Sequence, residues 1–313
     1  MKSMKAIRIH SHGGPEVLVY EDTPRPVLND DDVLIRVMAA GVNPVDWKIR
    51  QGYMKDLFSL PLILGWDVAG VIEEKGPDVR NLEIGASVYT RPNILRNGAY
   101  ADFIAVKASE VALKPESIDF IQAAAVPLAA LTAWQSLFDL AHLQSGQKIL
   151  IHAAAGGVGH YAVQFARWIG AHVIGTASSR NHDFLKSIGA HETIDYTVDA
   201  FETIVDDADV VLDTIGGEVW QRSWKALKKG GIMVSTLRGP ETGGAEALNK
   251  LCAHVFVQPD AVQLGEIAVL IDSGHVHPMI EQVFPLTEVH KAHLASQSGH
   301  TRGKIVLRVG SNL

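Results

Sequence analysis

Residues 149–180 contain an apolar run, a glycine-rich turn, a helix-length segment and a second apolar run, and this order constrains the fold most. The first run is Ile149-Leu150-Ile151, and AAGGVG follows it at 154–159. HVIGTA at 172–177 is typical of a second buried strand. Between them, apolar residues recur as on one helix face, namely Val163, Phe165, Ala166 and Ile169. A strand, turn, helix and strand in this order indicate a parallel sheet covered by helices.

The turn at 154–159 has the residue types of a dinucleotide site. Small residues let the backbone approach a pyrophosphate, and free N–H groups at the helix start meet its negative charge. Ala154 stands where the pattern G-x-G-x-x-G has its first glycine, and a tight turn without a ligand is the alternative interpretation. The surrounding strands and helix favour a dinucleotide. The expected cofactor contacts are Ala155, Gly156, Gly157, Val158 and Gly159.

The end of the second strand bears on which dinucleotide is bound. An acidic residue about 20 positions after the glycines would hold the ribose 2′-hydroxyl of NAD. Here Ala177 is followed by Ser178, Ser179 and Arg180. Hydroxyls and a guanidinium bind a 2′-phosphate by charge-assisted hydrogen bonds, whereas a carboxylate repels it. We predict that NADPH is preferred over NADH. A helix N-cap at Ser178 or Ser179 beside a solvated arginine is the alternative.

The rest of the chain divides by pattern into two regions. Its 313 residues suggest about two domains at roughly 150 residues each. Residues 1–120 hold short alternating or β-branched runs such as VLIRVMAAGV and SVYT, which are typical of antiparallel strands. From about 121 to 260, strand-like runs alternate with helix-length segments. We predict an α/β protein with a mostly antiparallel β domain (1–125 plus 262–313) and a doubly wound parallel-sheet domain (126–261).

Composition excludes several classes of protein. The net charge is −7 and no long basic run occurs, so we expect no nucleic-acid or membrane partner. The single Cys252 excludes an intramolecular disulfide. The most apolar window, 121–141, is interrupted by Pro127 and polar residues, which favours a buried helix pair over a membrane span. The first residues show no apolar signal core, so we expect a cytoplasmic protein.

Several motifs in order resemble the medium-chain dehydrogenase/reductase superfamily, specifically its zinc-independent quinone oxidoreductase-like (zeta-crystallin-like) branch. They are GVNPVDWKIRQG, LPLILGWDVAG, PLAALTAW, AAAGGVG and the terminal RGKIVLRV, and the likeness covers nearly the whole chain. The resemblance implies a GroES-like catalytic domain and a Rossmann cofactor domain, with the active site in the cleft between them. It also implies a homodimer, because the edge strand near Gly231–Leu237 often pairs across a dimer in this family.

Zinc-dependent alcohol dehydrogenases of this superfamily carry a cysteine at the position of Asn43 and a His-Glu pair at that of Trp66-Asp67. They also have a four-cysteine lobe for a structural zinc. This chain has none of those cysteines, and Asn and Trp are not ligands that zinc prefers. HVH at 275–277, and Cys252 with His254, have short spacing but no further ligands nearby. We therefore expect no zinc, and Trp66 to shape an aromatic pocket or pack the core.

The expected chemistry follows from the lack of zinc ligands. Without a metal to hold an alkoxide, oxidation of simple alcohols loses its main electrostatic support. A quinone or α,β-unsaturated carbonyl takes a hydride at carbon while charge develops on a conjugated oxygen that hydrogen-bond donors stabilise. We predict an NADPH-dependent oxidoreductase acting on such a small-molecule acceptor. The alternatives are an enoyl-thioester reductase of the same superfamily and an NADPH-binding sensor or structural protein with negligible turnover.

The resemblance also implies three catalytic residues. Asn43 and Asp46 would line the acceptor site beside the nicotinamide, and Tyr53 would donate its phenol to the acceptor oxygen. Each residue has an alternative role. Asn43-Pro44 can form a turn with Asp46 capping the next helix, and Tyr53 can be an exposed loop aromatic.

Further cofactor contacts are expected outside the glycine turn. Thr132 would meet the nicotinamide amide or ribose, or satisfy only its own helix backbone. Tyr196 would stack on the cofactor or bind phosphate near Arg180. The remaining candidates lie at later strand ends and near the C-terminus, namely Asp213, Thr214, Ser235, Thr236, Leu237, Arg302, Gly303 and Lys304. A turn or cap role for Asp213 and a solvated turn at 302–304 remain open.

Overall fold

The computed structural model describes residues 2–237 and 249–310. The strands are β1 (Ser3–Ile9), β2 (Val19–Pro24), β3 (Asp32–Val42), β4 (Leu62–Ile63), β5 (Val68–Lys75), β6 (Ser87–Thr90), β7 (Phe103–Lys107), β8 (Val111–Leu113), β9 (Lys148–Ile151), β10 (His172–Ala177), β11 (Glu192–Asp195), β12 (Ala208–Asp213), β13 (Leu227–Ser235), β14 (Leu251–His254), β15 (Ile280–Pro285) and β16 (Lys304–Arg308). The helices are α1 (Pro44–Arg50), α2 (Phe120–Ala124), α3 (Pro127–Trp134), α4 (Gly159–Trp168), α5 (His182–Ser187), α6 (Gly217–Ala226), α7 (Ala261–Asp272) and α8 (Val289–Gln297).

The described residues form two compact units. The first contains the chain up to Leu128, Gln258–Gly274 and the stretch from Pro278 onward. The second contains Ala129–Val257 and His275–His277.

The first unit is a mostly antiparallel β structure, as predicted. One sheet has the order β2-β1-β4, and the larger sheet has the order β15-β16-β3-β5-β6-β8, with β7 also pairing with β3. The long strand β3 is buried along most of its length, because its β-branched and small residues fit a covered sheet. It ends at Val42, since Pro44 has no N–H for a ladder and instead begins α1.

The second unit is a six-stranded parallel sheet, as predicted. Its order is β11-β10-β9-β12-β13-β14, and every neighbouring pair is parallel. The sheet runs outward from β9 in both directions, so the turn after β9 lies where the strand order reverses. Ligands of open α/β sheets bind at this kind of switch point.

The strand near Gly231–Leu237 is not an edge strand, which corrects that prediction. β13 lies between β12 and β14, and its residues Ile232–Ser235 pair with Leu251–His254. The short, mixed sequence LCAH of β14 carries no alternation that would identify it as the outer strand.

The apolar window 121–141 forms a buried helix pair, as predicted. α2 ends at Ala124, Pro127 begins α3, and a π-helical segment continues from Gln135 to Leu140. Trp134 packs edge-on against Phe138 and Phe165. Within the described part of the chain, no helix has both the length and the apolarity to cross a membrane.

Candidate active site

The glycine turn between β9 and α4 presents unpaired N–H groups at a helix N-terminus. Gly156 donates to the carbonyl oxygen of Ala153 at 2.9 Å, which closes the turn. The backbone N–H groups of Gly157, Val158 and Gly159 have no hydrogen-bond partner among residues 2–237 and 249–310. A Cβ at Gly159 would lie 2.3 Å from the Ala153 oxygen, so the close approach of helix and strand requires glycine there. This turn has the features of a phosphate-binding site.

Ala154, the departure from the glycine pattern, fits without strain. The left-handed conformation of the turn falls one residue earlier, at Ala153 with φ of 47°. The methyl group of Ala154 points into the sheet, and a Cβ at Gly175 would lie only 2.9 Å from it. The absent side chain at Gly175 on β10 therefore makes room for the extra methyl group at Ala154.

The predicted 2′-phosphate residues follow β10 directly. Ser178 is half-buried, and Ser179 and Arg180 are exposed at the start of a short 3-10 turn. Sequence reasoning missed a carboxylate beside them, because Asp195 at the end of β11 pairs in register with Ala177. The Asp195 carboxylate accepts the N–H of Ser179 at 2.9 Å.

Asp195 is held in its ionised form. It accepts two hydrogen bonds from Thr197, one from the hydroxyl and one from the backbone. These bonds, with that from Ser179, lower the pKa of Asp195 to about 2. Its oxygens are already occupied by donors, so the carboxylate fixes the backbone of the turn that carries Arg180. The next residue, Tyr196, is exposed at the same strand end.

The ends of β12 and β13 form a connected turn. Asp213 is fully buried, and its Oδ1 accepts the N–H groups of Ile215 and Gly216, both at 2.9 Å. Its Oδ2 accepts the hydroxyl of Ser235 at 2.9 Å. These are the contacts of a turn residue, which was the alternative interpretation of Asp213. A direct contact between Asp213 and the cofactor stays a prediction.

The neighbours of this turn are placed by backbone contacts. Thr214 donates its hydroxyl to the carbonyl of His152, beside the glycine turn. The N–H of Thr236 donates to the Asp213 carbonyl, and that of Leu237 donates to the Ser235 hydroxyl. Thr214, Ser235, Thr236 and Leu237 thus come together at the same carboxyl edge of the sheet as the glycine turn. Thr132 is buried within α3.

In the first unit, Asn43, Asp67 and Lys304 form a buried polar cluster. The amide nitrogen of Asn43 donates to Asp67 Oδ2 at 2.7 Å, and the Lys304 ammonium donates to the same oxygen at 3.0 Å. Lys304 also donates to Oδ1 of Asn43, and the N–H of Leu128 donates to Asp67 Oδ1 at 2.6 Å. Asn43 and Lys304 are each 3% exposed and Asp67 is 0% exposed. Lys304 was predicted from sequence to contact the cofactor, and the structure places it against Asn43.

The two residues that precede Lys304, Arg302 and Gly303, form the turn that leads into β16. The backbone N–H of Arg302 donates to Glu281 at 3.0 Å, and its side chain is exposed. Gly303 has a φ of 73°, and a Cβ there would lie 2.3 Å from the Met279 carbonyl oxygen. The turn that delivers Lys304 into the core therefore requires glycine.

Asp46 is also buried, one helical turn away from Asn43. Its Oδ2 accepts the N–H of Asn43 and the hydroxyl of Tyr100, each at 2.8 Å. The bond from Asn43 is the capping contact that the alternative interpretation expected. Asp46 Oδ1 is enclosed and has no hydrogen-bond partner in the described chain. Burial raises the pKa of this carboxyl to about 7, against the two donors and the nearby Lys304 charge.

A chain of contacts continues from Asp46 through Tyr100. His293 Nε2 lies 3.4 Å from the Tyr100 hydroxyl, and its Nδ1 lies 3.0 Å from the Arg50 guanidinium. Burial, aided by the Arg50 charge, lowers the pKa of His293 to about 3. Tyr100 and His293 were not identified from the sequence, because they lie 54 and 247 positions from Asp46 and carry no motif.

The two remaining candidates of the first unit have contrasting settings. Tyr53 follows α1 and is 55% exposed, as either a substrate donor or a loop aromatic would be. Trp66 is fully buried, and its indole N–H donates to the Arg96 carbonyl at 3.0 Å. Trp66 therefore packs the core, which was one of its two expected roles.

The donor set at the family's zinc position does not suit that metal. Asn43 supplies an amide oxygen and Trp66 supplies no ligand. Oδ1 of Asn43 and Oδ2 of Asp67 already accept from the Lys304 ammonium, and Oδ1 of Asp67 accepts the N–H of Leu128. In the described ranges, no group of three or more His, Cys, Asp or Glu side chains is placed to hold a metal ion.

Comparisons with known proteins give a consistent result. A family model described as an alcohol dehydrogenase GroES-like domain matches residues 29–116, and one described as a zinc-binding dehydrogenase matches residues 188–307.

Individual relatives match almost the whole chain. An NADPH-dependent alkenal/one oxidoreductase of Arabidopsis thaliana, chloroplastic, is 36% identical over 320 residues, covering 98% of this chain and 80% of the relative. The mitochondrial NAD(P)H oxidoreductase RTN4IP1 of Mus musculus is 33% identical over 353 residues, covering 98% and 89%. The solved quinone oxidoreductase from Coxiella burnetii superposes with a TM-score of 0.91 at 35% identity, covering 99% and 100%.

Proposed function

The chain belongs to the medium-chain dehydrogenase/reductase superfamily, in its quinone oxidoreductase-like branch, and is an oxidoreductase; we propose that it reduces quinones or α,β-unsaturated carbonyls with NADPH and without zinc. The observation that carries this proposal is the glycine turn. Three consecutive N–H groups at the start of α4 have no acceptor within the described part of the chain, and they lie at the switch point of a parallel sheet. Bound there, NADPH would supply the hydride.

The choice of NADPH over NADH is supported by the turn after β10. Ser178, Ser179 and Arg180 supply hydroxyl and guanidinium donors of the kind that bind a 2′-phosphate. Asp195 is the nearby carboxylate, and its oxygens are engaged by Ser179 and Thr197. A carboxylate held in this way fixes the turn and is not free to hold a ribose 2′-hydroxyl.

The choice of acceptor is supported by the first unit. We assign Asn43, Asp46 and Tyr53 to the acceptor site. An electron-poor acceptor needs only donors at the oxygen where charge develops. Tyr53 offers an exposed phenol, and the Asn43 amide nitrogen carries a second N–H besides the one that it donates to Asp67. The Lys304 ammonium already donates to Oδ1 of Asn43 and to Oδ2 of Asp67, which supports a zinc-free site. A cytoplasmic location and a homodimer stay predictions, and the dimer is tested by light scattering of the purified protein.

The decisive experiment follows NADPH oxidation after chelator treatment with a panel of para-quinones, ortho-quinones, enones and enals, with NADH in parallel. We expect turnover with NADPH that survives the chelator, and weaker turnover with NADH. The preferred acceptor then decides between quinone and alkene chemistry. Activity abolished by the chelator and restored by zinc would overturn the zinc-free proposal. Binding of NADPH without turnover of any acceptor would favour the sensor alternative.

A further inference from the structure

Arg91 is a buried arginine whose charge is not paired within the described chain. The residue is 3% exposed, and its Nε is enclosed with no hydrogen-bond partner. Among the described residues, the guanidinium forms no ion pair, and Asp67 and Glu110 act on it only as nearby charges. Arg50, which is fully buried, shows the usual arrangement, because it donates to Gly13, His293 and Gln297. An unpaired buried cation is costly, so Arg91 points to an acceptor from outside the chain.

The position of Arg91 links it to the buried polar cluster of Asn43, Asp67 and Lys304, and Asn43 is also assigned to the acceptor site. Arg91 directly follows β6. Thr90 of β6 pairs antiparallel with Val68 of β5, so in the same register Arg91 lies opposite Asp67. Asp67 does not neutralise it directly. Its Oδ2 accepts from Asn43 and Lys304, and its Oδ1 accepts the N–H of Leu128.

The second nearby carboxylate is also committed elsewhere. Glu110 is buried, and its Oε2 accepts the N–H of Asn93 at 2.9 Å. Burial lowers the pKa of Arg91 to about 10, while the charges of Asp67 and Glu110 act in the opposite direction. The guanidinium is therefore a cation at neutral pH, with N–H donors that the described residues leave open.

We propose that Arg91 binds the acceptor oxygen on which negative charge develops. The inference rests on the proposed function. When hydride forms a C–H bond at an acceptor carbon, the displaced π pair moves to the conjugated oxygen, which becomes an enolate oxygen. The guanidinium meets that charge with preoriented N–H donors in a water-poor setting, and a solvent proton then neutralises the product. Arg91 is thus an anion-binding residue of the acceptor site.

The first test compares three variants under steady-state conditions. In Arg91→Met, we expect kcat/KM for the best acceptor to fall on the order of a hundredfold, with the Kd of NADPH unchanged. Arg91→Lys keeps the charge and should recover part of the loss. Arg25→Met is the matched control, since Arg25 also has an unpartnered Nε but stacks on Phe103 at 3.6 Å. A kcat/KM for Arg91→Met within about threefold of the wild type would overturn the proposal.

Stability separates this role from a structural one. Removing an unpaired buried charge should leave Tm unchanged or raise it. A clear fall in Tm for Arg91→Met, or failure of that variant to fold, would show that Arg91 holds the fold together and would overturn the inference.

A binding test that needs no hydride distinguishes this inference from the proposed function. 4-Nitrophenol, added below its own pKa, develops a phenolate absorbance band if a cation binds its oxygen. We expect the band with the wild type and with Arg25→Met, and no band with Arg91→Met. If that pattern holds while no acceptor turns over, the reductase proposal fails and the anion site stands. Equal bands in wild type and Arg91→Met would overturn the anion site, whatever the activity.

Discussion

The ammonium of Lys304 lies 3.0 Å from Oδ2 of Asp67, and both side chains are removed from solvent. A strand from the end of the chain thus places a cation against residues from its first quarter. Because the pair is buried, the loss of one charge lowers the free energy of unfolding more than it would in an exposed pair.

Removing one member of this pair should destabilise the protein strongly. We expect Lys304→Met to lower the free energy of unfolding by about 3–5 kcal/mol, since Asp67 then remains buried without its cation. The double variant with Asp67→Asn should lose less than the sum of the single losses, as measured by urea unfolding. Lys107→Met, which breaks an exposed pair with Asp31, should cost less than about 1 kcal/mol. Strictly additive losses at Lys304 and Asp67 would contradict the coupling.

Arg180→Ala should weaken NADPH binding much more than NADH binding. A charge-assisted hydrogen bond contributes about 1.5–3 kcal/mol, so we expect the Kd of NADPH to rise roughly 10- to 100-fold while that of NADH changes little. Fluorescence titration of both cofactors measures the ratio. Arg167→Ala, at the far end of α4, is the control and should change neither Kd. Equal losses for the two cofactors would refute a 2′-phosphate role for Arg180.

Gly159→Ala should cost both stability and cofactor affinity. The added methyl group would meet the Ala153 oxygen at 2.3 Å and Ala154 Cα at 2.7 Å, so the turn must shift. We expect a loss of about 1–3 kcal/mol in unfolding free energy and a higher Kd for NADPH. Gly265→Ala in α7 is the matched control, because nothing lies within 4 Å of its new Cβ. That variant should gain about 0.5–1 kcal/mol. Unchanged NADPH binding in Gly159→Ala would argue against the turn as the phosphate site.

The contribution of Asp46 to the free energy of unfolding should fall as pH rises. Its folded pKa of about 7 exceeds the ordinary aspartate pKa of 3.8, so the folded protein binds the proton more tightly than the unfolded chain. The associated stability is complete below about pH 4, is lost on the way to pH 7, and amounts to on the order of 4 kcal/mol.

The Asp46→Asn variant isolates this dependence. Thermal unfolding should be measured for both proteins between pH 5 and 8. As pH rises, we expect the Tm of the wild type to fall relative to that of Asp46→Asn. Asp213→Asn provides the comparison, because that buried carboxylate is satisfied by Ile215, Gly216 and Ser235. A gap between wild type and Asp46→Asn that is independent of pH would contradict a protonated Asp46.

Local sequence patterns predicted the elements that have a strong period. The run at 148–151, the glycine turn and the run at 172–177 correspond to β9, the turn and β10, because each carries its own turn or apolar signal. β14 was missed, since four mixed residues have no period. The break in the apolar window at Pro127 was predictable because proline cannot donate within a helix.

The site was predictable only where neighbours in sequence are neighbours in space. Lys304 and Asp67 lie 237 positions apart, and nothing in either segment shows that they meet. Asp195 reaches Ser179 through the register of β10 and β11, which no single-strand pattern contains. In the sequence, nothing distinguishes Arg91 from an ordinary loop arginine, and only the structure shows that it is buried.

The Ala154 methyl group and a Cβ at position 175 would compete for the same space, so which side chain is tolerated at one position depends on the residue at the other as sequences diverge. In a relative with glycine at the first position, the partner strand gains space for a methyl group. With glycine at position 154, a Cβ at position 175 would meet only Leu185 Cδ1, at 3.3 Å, whereas alanines at both positions would clash at 2.9 Å. A search for this turn is therefore better framed on the sum of the two side-chain volumes than on glycine at either position alone.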